Sequence, residues 1–157
     1  MKISIGGDHC GFPLKGPIIE MLKEWGHEVT DHGAFDTQPV DFPDVAHAVC
    51  GQVRRGEADR GIMVCGTGVG ASIAANKIPG IRAALCHDVH CAHQCVEHDD
   101  TNVLCVGAWI IGIKTAEEVV RHFLDARFDP DPAFVRRVAK LAEMEKQAAR
   151  ELLGIKD

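Results

Sequence analysis

The stretch Arg60 to Lys77, RGIMVCGTGVGASIAANK, decides how this chain is read. Gly61 to Val64 is a short apolar run with the length and composition of a buried strand. It ends at Cys65. Gly66, Thr67, Gly68, Val69 and Gly70 follow, and Ala71 to Lys77 has helix-forming composition. The unit is therefore strand, glycine turn, helix. Glycines let the backbone come close to a ligand and take positive φ where needed. Unpaired N–H groups at a helix start favour an anion. A thiol at the strand end beside such amides is a candidate nucleophile or base, and a helix N-terminus is expected to lower its pKa. On its own the turn also suits a plain βα connection over a buried cysteine. It is not a dinucleotide fingerprint, which needs G-x-G-x-x-G and a later acid. Nor is it a Walker A loop, because Lys77 comes too late.

Working outward, strands and helices alternate. Lys2 to Ile5 reads as a first strand, followed by the turn Gly6 to Gly11 and a helix from about Pro13 to Trp25. Pro13 suits a helix start and Gly26 a stop. Glu28 to Asp31 reads as strand two. Asp41 is a candidate cap for a helix from Pro43 to about Arg55. Ile81 to Leu85 and Asn102 to Val106 read as strands four and five, with a helix over Asp88 to Glu97 between them. Thr115 and Glu118 match a capping box for a helix ending near Ala126. Asp131 and Pro132 open a last helix reaching about Leu153.

This alternation implies an α/β fold, a Rossmann-like three-layer sandwich around a five-stranded parallel sheet in the order 2-1-3-4-5. Ligands in such sheets bind beyond the strand carboxyl ends, where the order reverses. Asp8 and His9 end strand one and Cys65 ends strand three, so the two turns should meet at one crevice. Residues 1–157 form a single domain on this reading. The last helix has little sheet left to cover and is expected to pack on a second subunit.

The bulk properties narrow the function. Net charge is −6 over 157 residues, with no long basic run, so nucleic acid and membrane surfaces are not expected partners. No apolar run approaches the roughly 20 residues of a membrane span. The opening residues show no charged-then-apolar signal pattern. Seven cysteines at irregular spacing do not suggest a disulfide framework, so reduced thiols and a cytoplasmic location are expected. Tyrosine is absent, so acid–base work would fall to Cys, His, Asp, Glu or Lys.

Four segments carry a wider resemblance: GGDHCGFPLK (6–15), DFPD (41–44), CGTGVGASIAANKIPGIRAAL (65–85) and EHDDTNVL (97–104). Together and in this order they resemble the ribose-5-phosphate isomerase B family, which includes the galactose-6-phosphate isomerase subunits. The resemblance covers roughly residues 2–128. It implies a homodimer or tetramer, with the active site shared between subunits, that interconverts aldose and ketose phosphates without metal or cofactor. By that resemblance Cys65 is the base, the amides of Gly66, Gly68, Val69 and Gly70 with Thr67 hold the enediolate, and His98 opens the sugar ring from across the dimer. Asp8 binds sugar hydroxyls, and His9 helps hold the phosphate. Some members use a glutamate in the glycine loop as base; here that position is Ala71.

The chain departs from the family pattern at several places. His98 is followed by Asp99 rather than Asn, and a carboxylate accepts but does not donate. Trp109 stands where members carry an arginine. Phe42 replaces a common tyrosine. The tail reads Pro130-Asp131-Pro132-Ala133-Phe134-Val135-Arg136 instead of G-G-R-H-x-x-R, which leaves Arg136 or Arg137 to compensate for a lost arginine and histidine. These changes point to altered specificity, either another sugar phosphate (tetrose or hexose) or an unphosphorylated sugar. A reading from another class is a metal-binding module, because Cys86, His87, His90, Cys91, His93, Cys95 and His98 crowd thirteen residues and suit zinc or copper. No CxxC accompanies them.

Overall fold

The computed structural model describes residues 1–155. Five parallel strands, β1 (Lys2–Gly7), β2 (Glu28–Asp31), β3 (Arg60–Cys65), β4 (Ala83–Leu85) and β5 (Val103–Gly107), form one sheet. Six helices connect and follow them: α1 (Phe12–Glu24), α2 (Phe42–Arg54), α3 (Val69–Ala75), α4 (Val89–Asp99), α5 (Ile113–Asp125) and α6 (Pro132–Leu152).

Alternation along the strands assigns the two faces. Ile62 and Val64 of β3, with Leu104 and Val106 of β5, pack against α1, α4 and α5 through Ile18, Leu22, Val96, Val119 and Phe123. Met63 and Cys65, with Val103 and Cys105, face α2 and α3 through Val49, Cys50, Ala71 and Ala75. Both faces are covered, which gives the three-layer sandwich expected from the sequence.

The strand order corrects the expectation. It is β2-β1-β3-β5-β4, not 2-1-3-4-5. Every residue of β5 is buried, whereas β4 has three residues and ends on the exposed Leu85. The all-apolar strand takes the inside position and the short one becomes the edge. β1 and β3 remain neighbours, and Cys65 now lies opposite Gly107 of β5.

Two smaller expectations also change. α5 opens at Ile113 behind an extended Gly112, so Thr115 lies inside the first turn and caps nothing. Asp41 occupies the N-cap of α2 without a capping hydrogen bond from its side chain. Asp88 and Asp131 do cap: their carboxylates accept from the N–H groups of Cys91 and Ala133 at 2.8 and 2.7 Å.

Two features fix the front of the sheet. The β1–α1 turn presses on β3 so closely that a Cβ on Gly11 would stand 1.9 Å from the Val64 carbonyl oxygen. The buried Lys15 of α1 reaches both carboxylate oxygens of Asp31, at 2.5 and 2.6 Å, and Asp31 also accepts from the Gly33 N–H at 3.0 Å. α6 stands apart from this core. It has no buried residue and holds the turn after α3 through the Gly80 N–H, which donates to Glu145. Between α6 and the β4 edge lies a cavity of about 710 Å³.

Candidate active site

The carboxyl ends of β1 and β3 bring Asp8 and Cys65 together. Asp8 closes the β1–α1 turn: its Oδ1 accepts from the N–H groups of Cys10 and Gly11 at 2.9 and 2.8 Å. Its other oxygen, Oδ2, accepts from the Cys65 thiol at 2.8 Å. Both side chains are buried, at 6% and 9% exposure. His9 lies beside it, and its Nδ1 accepts from the Val40 N–H at 3.3 Å.

The glycine loop arches over the sulfur. Gly68 takes φ +80° at the start of α3, and a Cβ there would stand 2.5 Å from Leu85. This left-handed position suits glycine and little else. It lets the Gly66 and Gly68 N–H groups reach Cys65. Thr67 is exposed at the loop's crest, with Oγ1 3.4 Å from the Val69 nitrogen.

Contrary to the expectation from the helix start, the Cys65 pKa is raised. Burial is the largest cause, and the Asp8 carboxylate adds to it; the Gly68 and Gly66 amides pull the other way and lose. The resting site therefore holds a thiol bonded to a carboxylate. A thiolate formed there is a stronger base than an exposed one, and less abundant.

The order β3-β5-β4 brings two further residues to the loop. The Ala108 and Trp109 N–H groups donate to the Cys65 and Gly66 carbonyls at 2.8 and 2.9 Å. The Trp109 indole covers Gly66, where a Cβ would meet ring atoms at 3.0–3.1 Å, and the residue is 68% exposed. His87 accepts from the Gly107 N–H at 3.0 Å through Nε2. Burial lowers the His87 pKa, which suits the neutral ring this bond requires. Its spacing in the sequence gave no sign of this role; only the interior place of β5 creates it. Phe42 packs on Gly70 at the start of α2.

The remaining candidate residues lie elsewhere. α4 runs from the carboxyl end of β4 to the amino end of β5, so His98 and Asp99 stand at the opposite edge of the sheet from Cys65. The Arg60 guanidinium marks that edge by donating to the Thr101 carbonyl at the start of β3. There the His98 ring stacks on Phe134 of α6, with centroids 4.1 Å apart, and Arg136 and Arg137 are exposed beside it. One chain thus gathers Asp8, His9, Cys65, Thr67, Gly66, Gly68, Val69 and Gly70 at one end, and His98, Asp99, Arg136 and Arg137 at the other. The Cys/His-rich segment disperses: among the described residues, no three His, Cys, Asp or Glu groups are placed to hold a metal ion.

Fold and site together define a Rossmann-like enzyme with a buried thiol–carboxylate pair at the sheet's reversal point. Comparison with known proteins makes this specific. The family model for Ribose/Galactose Isomerase matches residues 3–141. The chain is 44% identical over 128 residues to ribose-5-phosphate isomerase B of Escherichia coli, covering 82% of this chain and 86% of that protein. It is 38% identical over 150 residues to D-erythrulose-4-phosphate isomerase 2 of Mycolicibacterium smegmatis, with 92% and 97% covered. A solved structure of Clostridium thermocellum ribose-5-phosphate isomerase B superposes with a TM-score of 0.92 at 45% identity, over 94% of this chain and 99% of that one. The chain belongs to the Ribose/Galactose Isomerase family, a family of sugar-phosphate isomerases.

Proposed function

We propose that the protein interconverts an aldose and a ketose phosphate, with Cys65 moving a proton between C1 and C2 of the opened sugar. The observation that carries this is the Cys65 sulfur held 2.8 Å from Asp8 under the glycine loop. A sugar hydroxyl entering the crevice offers Asp8 a new donor and replaces the thiol S–H. Once that thiol has given up its proton to solvent, the Cys65 thiolate takes the proton from one carbon and returns it to the next. The amides of Gly66 to Gly70, with Thr67, face the oxygens on which enediolate charge develops. A second copy of the chain supplies His98 to open the ring, Asp99 to accept from a hydroxyl, and Arg136 or Arg137, which joins the first chain's His9 in holding the phosphate. The opposite placement of the two clusters within one chain supports that arrangement. So do Met144 and Leu152 of α6 and Leu153 just after it, which are 64%, 89% and 74% exposed.

The test follows from the raised thiol pKa. Because the thiolate is the working form, kcat/KM should rise with pH, with its midpoint above the ordinary thiol value. Asp8→Asn keeps an oxygen for the turn amides but removes the charge that opposes ionisation. Its profile should therefore shift to lower pH. A profile that does not move, or moves up, would remove Cys65 as the group that titrates.

A second reading concerns the substrate, and Trp109 favours it. An uncharged indole covers the loop where a guanidinium would clasp phosphate. Charged hydrogen bonds are worth roughly 1.5–3 kcal/mol each. We infer a preference for an unphosphorylated aldose over ribose 5-phosphate. Trp109→Arg should raise the efficiency on ribose 5-phosphate, relative to the preferred sugar, by about 10-fold or more. A wild-type enzyme most efficient on ribose 5-phosphate would overturn this preference while leaving the isomerase reading intact.

A further inference from the structure

The segment from Cys86 to His98 carries three cysteines and four histidines. The structure separates them. His87 is committed to Gly107, His93 lies 3.6 Å from the Glu97 carboxylate, and His98 stacks on Phe134. Cys91 is exposed. Cys86 and Cys95 remain, and they face each other. Their sulfurs are 4.0 Å apart, with the Cys86 thiol donating.

The two differ in access. Cys86 is 2% exposed just past β4, where its N–H donates to the Cys105 carbonyl at 3.1 Å. Cys95, in the second turn of α4, is half-buried and lines the cavity between α6 and the β4 edge. Cys95 belongs to the lining of that cavity, and Cys86 does not.

The surroundings also single out Cys95. The Cys86 thiol, and behind it the Thr101 hydroxyl, stabilise its thiolate and hold its pKa below the ordinary value against the opposing effect of burial. The other six thiols are all pushed up: Cys50 to about 12, and Cys10, Cys65, Cys86, Cys91 and Cys105 in the same direction. The thiolate is the reactive form towards oxidants.

We propose that Cys86 and Cys95 form an oxidisable pair, in which a hydroperoxide reacts at Cys95 and Cys86 closes the disulfide. With hydrogen peroxide, the Cys95 sulfur attacks one oxygen and the O–O bond breaks. The products are a sulfenic acid on Cys95 and hydroxide. The Cys86 sulfur, giving up its proton, then displaces hydroxide from the sulfenic sulfur. The balance is two thiols oxidised to one disulfide and one peroxide reduced to two waters. Closure needs the sulfurs to move from 4.0 Å to about 2.05 Å. In the reduced pair the Cys95 thiol also donates to the Ala92 carbonyl, at 3.3 Å. The pair is separate from the Asp8–Cys65 site, and Asp99 lines the same cavity as Cys95.

The test uses the whole protein and a small excess of hydrogen peroxide. Remaining thiols are alkylated after denaturation, and the chain is cut with trypsin and an aspartate-directed protease. Cleavage after Arg82 and before Asp88 and Asp99 puts Cys86 and Cys95 on separate peptides, 83–87 and 88–98. The expected product is these two peptides joined through Cys86 and Cys95, with two thiols lost while Cys65 still alkylates. Cys86→Ser should stop at the sulfenic acid, trapped on Cys95 by dimedone. Cys91→Ser should oxidise as the wild type does. Full alkylation of Cys95 after peroxide, or oxidation of Cys65 or Cys91 ahead of it, would overturn the proposal.

Discussion

Cys65→Ala is expected to lower kcat by roughly 10²–10⁴-fold, the range supplied by a positioned general base, while KM changes only a few-fold. The argument is geometric. Asp8 is the carboxylate bonded to Cys65, and its Oδ1 is already engaged by the Cys10 and Gly11 N–H groups. Its Oδ2, freed by the substitution, still binds a sugar hydroxyl, so substrate affinity should survive. The fold should survive too. The side chain is small, and it belongs to one core cluster with Ala71, Met63 and Cys105. Steady-state kinetics on the preferred sugar, beside a thermal melt, checks both halves. A variant retaining a tenth or more of wild-type kcat would place the base elsewhere.

The second large effect is on stability. Asp31→Ala is expected to cost about 3–5 kcal/mol, because it leaves the buried Lys15 ammonium without its carboxylate. Lys15 is 2% exposed, and Asp31 grips it with both oxygens. Lys15→Met added to Asp31→Ala should restore most of the loss, since an apolar side chain of similar volume needs no counter-charge. Denaturant midpoints for the two single variants and the double variant form the cycle. A double variant no more stable than Asp31→Ala would show that the Asp31 bond to the Gly33 N–H, rather than the ion pair, holds this corner.

Much of this was legible in the sequence, for identifiable reasons. Short apolar runs ending in glycine turns located β1 and β3, and Cys65 was read at a strand end because the run stops on it. The sandwich followed from alternation. The order of the last two strands was not legible, because it depends on how completely each strand is buried, and AAL and VLCVG both read as apolar runs. With that order went the roles of His87 and Trp109, whose closeness to the glycine loop exists only with β5 beside β3. The direction of the Cys65 pKa is hidden from the sequence for a related reason. A helix start is visible in sequence, but burial and a carboxylate from β1 are not, and they outweigh it.

Gly11 lies so near the Val64 carbonyl that the chain admits no side chain between β1's turn and β3. The separation of Asp8 and Cys65 is therefore ruled by two stretches of main chain in contact, not by the fit of side chains around them. Heat resistance and turnover become separable traits in such a molecule. Repacking Val49, Ile62 or Phe123 can raise or lower the melting point while the carboxylate and the sulfur keep their distance.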